Sequence, residues 1–468
     1  MQKFSFRNRH TMMALLLLWW VAASCKKLIQ IPPNPPTSIT EAQQFADSAT
    51  AMTAVAGVYT YSRGISSGFT YSDGYLSVTT GLSSDELSTT WGQADYLEFY
   101  NYSLTSLNDI ATNMWTDPYT GLYPVNAILR NITNNSALSA SFTQQITGEM
   151  KVVRALYYFN LVNVFGAVPL VTSTDYTTNS AMPRTSVDSV YTGIIADLTD
   201  ALQELTPNYP SSGSYRPNLY VASALLARIY LYRQQWQNAY DAATTVIGSG
   251  VYSLEPDLNN VFLDGSIEAI WQIPATGTRF VTMEAENYIP ESSGTVPNYL
   301  LTPWLLNAFE AGDQRLQDWT DSVVVNTGSG NQTFYYPYKY KNVLSSSPTT
   351  EDFMILRLAE QYLIRAEASA QLGNTAAALA DLNVVRARAG LAGVTAASPA
   401  AALSAIMHER QIEFFTEWGN RWYDLKRTGM AATVLGSEKT GWQTNAELYP
   451  VPRAQLTADP LLTQNQGY

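Results

Sequence analysis

Apolar side chains recur every three or four residues along much of the chain, and this spacing predicts a mostly α-helical fold. The pattern is most regular from Thr143 to Phe165, where apolar residues form one continuous helical face. A first helix is expected to begin near Thr40 and Glu41, with Phe45 at the start of its apolar positions. The same spacing predicts further helices at residues 107–132, 186–205, 217–233, 236–247, 353–372, 375–389 and 400–418.

Two long stretches interrupt the helical pattern. Residues 62–102 are rich in glycine, serine, threonine and aromatic side chains. Residues 255–350 are irregular, with short strand-like runs at Ala269–Ile273 and Ser322–Val325. We expect both stretches to form loops with a few short strands, inserted between the helices.

Two of the predicted helical pairs resemble each other. Residues 222–247 and 363–389 each form a helix, a short turn and a second helix, and both are rich in alanine. Small side chains let two antiparallel helices approach closely, which is the device of tetratricopeptide repeats. One such pair cannot bury its own faces, so several pairs must stack. The expected fold is therefore a mostly α, tetratricopeptide-like scaffold of helix pairs with long loop-rich insertions and a few short strands.

The N-terminus has the features of a lipoprotein signal. A basic start at Lys3, Arg7 and Arg9 precedes an apolar run too short to span a bilayer, which is typical of a secretory signal peptide over residues 1–24. The small residues before Cys25 resemble a bacterial lipobox, so Cys25 is the expected site of lipidation. Residues 25–40 then contain several prolines and are expected to form an extended tether from the membrane.

Charge and composition exclude several classes of function. The chain of 468 residues carries 27 basic and 39 acidic side chains, a balance that argues against nucleic-acid binding. With one cysteine and two histidines it can form neither an internal disulfide nor a cysteine-based zinc cluster. His408 and Glu409 resemble the start of a zinc-protease motif, but Ile412 stands where the second histidine is required. We expect no metal and no cofactor.

Four segments and the C-terminus resemble the SusD/RagB family of outer-membrane nutrient-binding lipoproteins. Residues 151–170 read KVVRALYYFNLVNVFGAVPL, and 184–198 resemble the family's next helix. Residues 357–368, 409–425 and 448–468 resemble later family segments, in the same order along the chain. The resemblance implies an N-terminal SusD-like part at 41–250 and a C-terminal RagB/SusD-like part at 251–468, within one compact body.

The resemblance also implies a function. Members of this family are binding proteins rather than enzymes, and they capture oligosaccharides for a partner TonB-dependent transporter of the SusC type. The expected location is the outer membrane, with a lipid anchor and exposure at the cell surface. Three alternatives stay open: a peptide-binding member of the same family, a secreted glycoside hydrolase, and a purely structural lipoprotein.

Loop aromatics are the candidate ligand-binding residues, because sugars stack their flat C–H faces on tryptophan and tyrosine while their hydroxyls need polar partners. A second group of residues, at Glu409, Arg410, Glu413 and Glu417, is spaced for an ion-paired helix face that fixes the C-terminal helices. The candidate binding residues lie in two loops, with Asp85, Trp91, Tyr96 and Asn101 in the first and Tyr299, Trp304 and Trp319 in the second.

Overall fold

The computed structural model describes residues 39–62, 74–275, 281–343 and 350–468. The signal peptide at 1–24, the lipidation site Cys25 and the tether up to residue 38 lie outside the described residues. Within the described residues the fold is mostly α-helical with a few short strands, which confirms the predicted fold class.

The helices are named in chain order. They are α1 Glu41–Gln44, α2 Ser48–Ser62, α3 Tyr75–Ser83, α4 Ala94–Asn101, α5 Asp109–Ile132, α6 Ala140–Phe165, α7 Tyr176–Asn179, α8 Val187–Glu204, α9 Leu219–Tyr232, α10 Trp236–Gly248, α11 Met283–Tyr288, α12 Pro303–Ala308, α13 Gln314–Asp318, α14 Leu358–Gln371, α15 Thr375–Arg388, α16 Pro399–Glu413, α17 Asn420–Arg427, α18 Ala431–Glu438 and α19 Arg453–Ala458.

The strands form three small antiparallel sheets of two strands each. They pair as β1 with β3, β2 with β6, and β4 with β5. Their bounds are β1 Leu87–Thr89, β2 Ala269–Pro274, β3 Tyr299–Leu301, β4 Thr320–Asn326, β5 Asn331–Pro337 and β6 Asp352–Arg357.

The long helices stack against one another in a continuous series. Helix α2 packs on α5, α5 on α6, α6 on α8, α8 on α9, α9 on α10, α10 on α14, and α14 on both α15 and α16. The contact between α10 and α14 joins the two helical pairs that the sequence predicted as repeats. Ala239 and Ala243 of α10 and Ala378 of α15 are fully buried, so small residues do line the close helix approaches.

Three predictions about elements were wrong. Residues 255–350 contain the short helices α11, α12 and α13 in addition to strands. Residues 62–102 contain two helices, α3 and α4, as well as the short strand β1. The stretch that begins at Phe353 starts as the strand β6 and becomes helical at Leu358. Every residue of β6 is buried, so its apolar residues are continuous. Such a run shows neither the two-residue alternation of a strand nor the 3.6-residue repeat of a helix, and the two cannot be told apart from it.

A buried network of ion pairs fixes α16 to the irregular segment before α14. Arg357 of β6 lies between Glu268, Glu413 and Glu417, and all four side chains are buried. Arg315 of α13 pairs with Asp313, Glu409 and Glu413 in the same way. The predicted ion pairing along one helix face was wrong, because Glu409, Arg410, Glu413 and Glu417 are buried and pair with residues of other elements rather than with one another.

No helix among the described residues is both long and apolar enough to cross a membrane.

Candidate functional site

The two loops that carry the candidate aromatics meet at the β1–β3 ribbon. Leu87 pairs with Leu301 and Thr89 pairs with Tyr299, so segments more than two hundred residues apart in sequence lie side by side. Beyond this end of the ribbon, the Thr90 amide donates to the Asn298 carbonyl at 3.0 Å. The Thr90 hydroxyl donates to the Pro297 carbonyl at 2.6 Å. These bonds fix the backbone immediately before Trp91.

Three rings from both loops form an aromatic cluster, defined here as Trp91, Tyr96 and Tyr299. The Trp91 ring stacks on Tyr96 with centroids 5.1 Å apart and planes inclined by 26°. Tyr299 contacts both rings edge-on, at 6.2 Å from Trp91 and 5.6 Å from Tyr96. Offset stacks and edge contacts at these distances are the favoured geometries for aromatic pairs. Tyr96 and Tyr299 are buried while Trp91 is half-buried, so Trp91 is the ring that the cluster presents to solvent.

The aromatic cluster is uncharged at physiological pH. Burial raises the pKa of Tyr96 to about 12, and burial followed by the neighbouring Tyr96 raises the pKa of Tyr299 further. Behind the cluster, the ring of Tyr288 lies 6.2 Å from Tyr299. Burial, followed by the negative charge of Asp85, raises the pKa of Glu86 to about 8, so this carboxyl group is largely protonated at neutral pH. The site therefore offers neutral rings rather than a charged pocket.

Trp304 lies beyond the other end of the same ribbon. The Thr302 amide donates to the Glu86 carbonyl at 3.0 Å, and Thr302 caps α12 by accepting from the Leu305 amide. Trp304 follows in the first turn of α12 and is half-buried, with no aromatic partner among the described residues. Glu86 and Thr90, which flank β1 at its two ends, are four residues apart, or roughly 13 Å at about 3.3 Å per strand residue. Trp91 and Trp304 are therefore two separate rings along one supporting element.

The structure places Asp85 differently from the prediction. Asp85 is 1% exposed, and its carboxylate accepts two hydrogen bonds from Arg421, at 2.8 and 2.6 Å. Gln411 donates a third at 3.2 Å. Its role is to fix the turn before β1, and it is not available to a ligand in this conformation. Asn101 is exposed at the far end of α4, about 8 Å along the helix axis from Tyr96.

The prediction that Trp319 is exposed was wrong. Its ring is fully buried, and its indole N–H donates to the Leu258 carbonyl at 3.0 Å. Lys339 lies 4.6 Å from the ring centroid and Arg388 lies 5.4 Å from it, so the ring packs against cations of the buried network. The sequence neighbours Asp318 and Asp321 are half-buried and exposed, yet the ring between them is enclosed, so polar flanking residues did not indicate its position.

Metal and histidine chemistry find no support in the described part of the chain. No group of three or more histidine, cysteine, aspartate or glutamate side chains there could hold a metal ion. His408 lies 3.6 Å from Glu310, and burial lowers the pKa of the imidazole. This histidine lies on α16, beside the buried ion network and away from the aromatic cluster.

Sequence reasoning missed the residues that support the cluster. Thr89 and Thr90 hold the backbone of Trp91 through bonds to residues 297 and 298, and Tyr288 lies behind Tyr299. No local pattern identifies these residues, because each acts through a partner that is distant in sequence. Tyr335 of β5 was also missed, and it is 42% exposed beside a cleft next to α12.

Comparisons with known proteins agree with this architecture. Residues 307–468 match the model of the SusD family. Residues 47–231 match a SusD-like model described as starch-binding and associating with the outer membrane. The chain belongs to the SusD/RagB-like family.

Relatives within the SusD/RagB-like family are distant in sequence but close in structure. A SusD-like protein of Formosa agariphila is 25% identical over 441 residues, which cover 79% of this chain and 83% of the relative. A SusD superfamily structure from Bacteroides vulgatus superposes with a TM-score of 0.81 at 20% identity, covering 91% of this chain and all of the other. A structure described as a laminarin-binding SusD-like protein has a TM-score of 0.74 and 26% identity, covering 90% of this chain and all of the other.

Proposed function

We propose that this chain is a non-catalytic glycan-binding lipoprotein of the outer membrane. It captures oligosaccharides on the aromatic cluster, with Trp91 as the contacting ring, and delivers them to a SusC-like TonB-dependent transporter. The observation that carries the proposal is the cluster itself, in which a half-buried tryptophan is held by two buried tyrosines at the meeting point of two loops. Membership of the SusD/RagB-like family and a laminarin-binding relative of similar fold support it.

The chemistry of the cluster suits a sugar. A pyranose ring stacks its C–H face on an indole, and a rigid platform loses little conformational entropy when it does so. Trp91 meets this requirement because its ring stacks on Tyr96. The hydrogen bonds of Thr89 and Thr90 fix its backbone. Gln93 is exposed two residues later, and it can supply an amide partner for sugar hydroxyls.

A binding role is favoured over hydrolysis. A glycoside hydrolase needs two carboxyl groups positioned on either side of the scissile bond. The conspicuous pair Asp85 and Glu86 is buried, with Asp85 held by Arg421. Glu86 is 2% exposed, so neither carboxyl group of the pair faces a ligand at the surface. A peptide-binding role within the same family is the second candidate, and the neutral, hydroxyl-rich setting of Trp91 favours sugars over it.

Delivery requires a partner and a location. The lipobox-like residues before Cys25 and the proline-rich tether support an anchor in the outer membrane. The description of the matched SusD-like model supports the same location. We assign the partner as a SusC-like transporter on family membership, and we expect the folded body to lie at the cell surface above it.

Replacement of Trp91 tests the proposal. Loss of one stacking platform is worth about 1–2 kcal/mol, which is about 5- to 30-fold in affinity. We expect Trp91→Ala to weaken binding to the cognate glycan by this factor in isothermal titration calorimetry, with a melting temperature within a few degrees of the wild type. Trp236→Ala is the matched control, since Trp236 is also half-buried but lies on α10. Unchanged affinity in Trp91→Ala would remove the platform from the proposal.

A further inference from the structure

A cleft lies beside α12, and the residues that line it follow the β1–β3 ribbon in sequence. Its volume is about 460 Å³, within the range of small-ligand sites. The cleft is formed between α12, α13 and the β4–β5 hairpin, and we call it the α12 cleft. Its lining includes Leu306, Asn307, Gln317, Asp321, Ser322 and Tyr335.

Trp304 lies about one helical turn from the α12 cleft. Trp304 and Asn307 are three residues apart, so they lie on the same face of α12, about 5 Å apart along its axis. Leu305, on the opposite face, is fully buried, whereas Asn307 is exposed. The outward face of this helix therefore carries Trp304, outside the cleft, and Asn307, which lines it.

The side chains in the cleft match the needs of a sugar. Tyr335 is 42% exposed, and its ring and hydroxyl have no partner among the described residues. Asn307 and Gln317 are exposed amides that can both donate and accept hydrogen bonds. Asp321 already accepts from the Tyr336 hydroxyl at 2.9 Å and from the Ser322 amide at 2.7 Å. These bonds fix its carboxylate and leave lone pairs for a further donor.

The charge of the cleft selects against acidic sugars. Of the described residues that line it, Asp321 is the charged one, and no lysine or arginine lines the cleft. The nearby cations Arg315 and Lys339 are buried and pair with glutamates. Lys341 is half-buried, donates to Asn259 and interacts with Asp318 as well as Asp321. A sulfated or uronic-acid residue would therefore approach the Asp321 carboxylate, which is unfavourable at short range because Lys341, the cation that interacts with it, is shared with Asp318 and Glu351.

We infer that the α12 cleft is an extension subsite, which binds uncharged sugar residues of the same oligosaccharide that stacks on the aromatic cluster. This inference rests on the proposed glycan-binding function and adds two properties to it. The ligand must be long enough to reach from Trp91 past Trp304, and it must be neutral.

The test uses the mature protein and a panel of polysaccharides in affinity gel electrophoresis. Laminarin, starch and xyloglucan are the neutral probes, and alginate and carrageenan are the anionic ones. We expect retardation by at least one neutral probe and by neither anionic probe. Binding to the anionic probes alone would overturn the inference while leaving glycan binding intact. Binding to none of the five would count against the proposed function and, with it, this inference.

The length of the oligosaccharide then distinguishes binding at the aromatic cluster from binding in the α12 cleft. Oligosaccharides of graded length are prepared from the neutral polysaccharide that is bound, and their affinities are measured by calorimetry. We expect Tyr335→Ala to weaken the longest oligosaccharides about fivefold or more and the shortest less than twofold. Tyr335→Phe, which keeps the ring, should retain most of the affinity. Tyr123→Ala is the matched control, because Tyr123 is 61% exposed on α5.

Each outcome has a distinct meaning. Equal weakening of long and short chains by Tyr335→Ala, or no weakening of either, would overturn the extension subsite. Trp91→Ala should weaken chains of every length. If Trp91→Ala has no effect while Tyr335→Ala does, the aromatic cluster fails as the primary platform and the α12 cleft stands on its own.

Discussion

The carboxyl group of Glu86 lies buried immediately before β1. Its protonation makes the stability of the folded protein depend on pH. Its pKa is raised to about 8, first by burial and then by the charge of Asp85. One of its carboxyl oxygens has no hydrogen-bond partner among the described residues, which is consistent with a neutral group. Glu86, which precedes Trp91 by five residues, is thus held in the protonated form, which is unusual for glutamate.

This raised pKa predicts a direction for stability against pH. Below the ordinary pKa of 4.5 the group is protonated in both states, so it adds no pH dependence. Between 4.5 and about 8 the folded state holds a proton that the unfolded state has released, so stability falls as pH rises. Glu86→Gln cannot titrate, so its free energy of unfolding should rise relative to the wild type by on the order of a few kcal/mol across this window.

Urea unfolding of both proteins at about pH 5 and about pH 8 measures this difference. Glu291→Gln, at an exposed carboxylate, is the control for general effects of the substitution. A difference between wild type and Glu86→Gln that stays constant with pH would mean that Glu86 is ionised in the folded protein.

Two tryptophans show the limit of predicting side-chain burial from the sequence. Trp91 and Trp319 both stand in loop-like segments with polar neighbours, yet one ring is half-buried and the other is fully enclosed. The neighbours of Trp319 in sequence are polar, but its neighbours in space are Phe262, Lys339 and Arg388. Local polarity could not reveal them, because all three are distant in sequence. Whether a loop aromatic is buried depends on such partners.

At the scale of elements, the buried ion network joins β6 to α16. The Arg357 guanidinium donates to Glu417 at 2.9 and 3.0 Å, to Glu268 at 3.0 Å and to the Glu413 carbonyl at 2.8 Å. Removal of a buried cation leaves its anions without compensation in a low-dielectric interior. Such pairs are costly to break even where they add little net stability when intact.

Arg357→Met should therefore lower the free energy of unfolding by about 3–5 kcal/mol, measured by denaturant titration. The control is Arg130→Met, because Arg130 and Glu41 form a pair in which both side chains are about half exposed, at 53% and 51%. Its loss should cost less than about 1 kcal/mol. Similar losses in the two variants would show that burial of the network does not govern its contribution.

The packing of α14 on α15 makes a separate prediction. Ala378 of α15 is fully buried in a cluster with Leu363, Ala366 and Ala370 of α14, while Ala380 of the same helix is exposed. Ala378→Leu should overpack the interface and lower the free energy of unfolding by about 1–3 kcal/mol. Ala380→Leu, which adds the same atoms on the solvent side, should leave thermal unfolding nearly unchanged. Equal tolerance of both substitutions would contradict the small-residue account of the helix pair.

The sequence predicted long helices well and short elements poorly. The helices α6, α8, α9, α10 and α15 begin and end within three residues of their predicted bounds, because each has an extended periodic apolar face. Helix α3 escaped detection because it is short and rich in hydroxyl residues. Thr79 and Thr80 are buried and donate to the carbonyls of Tyr75 and Leu76 one turn earlier, so the helix satisfies them itself.

At the scale of the whole molecule, the candidate site depends on pairing between distant parts of the chain. Strand β1 lies between α3 and α4, and β3 lies in the irregular segment between α10 and α14. One hydrophobic core extends from Phe45 to Val451 and includes Tyr96 and Tyr299. Because β1 and β3 are three residues each, nothing in one sequence could predict that they pair. The sequence therefore supplied the aromatics, but their assembly into a cluster required the structure.

The anchor is the property of the whole molecule that the sequence alone predicts. Cys25 is the single cysteine of the chain, so any thioether-linked lipid must be attached there. With Cys25→Ala we expect complete loss of labelled palmitate, together with release of the protein or accumulation of the uncleaved precursor. Membrane fractionation and metabolic labelling measure both effects. Asn34→Ala, which alters the tether and keeps the thiol, should stay lipidated in the membrane fraction. Palmitate on the Cys25→Ala protein would exclude the lipobox assignment, and the folded body would then need another means of reaching its transporter.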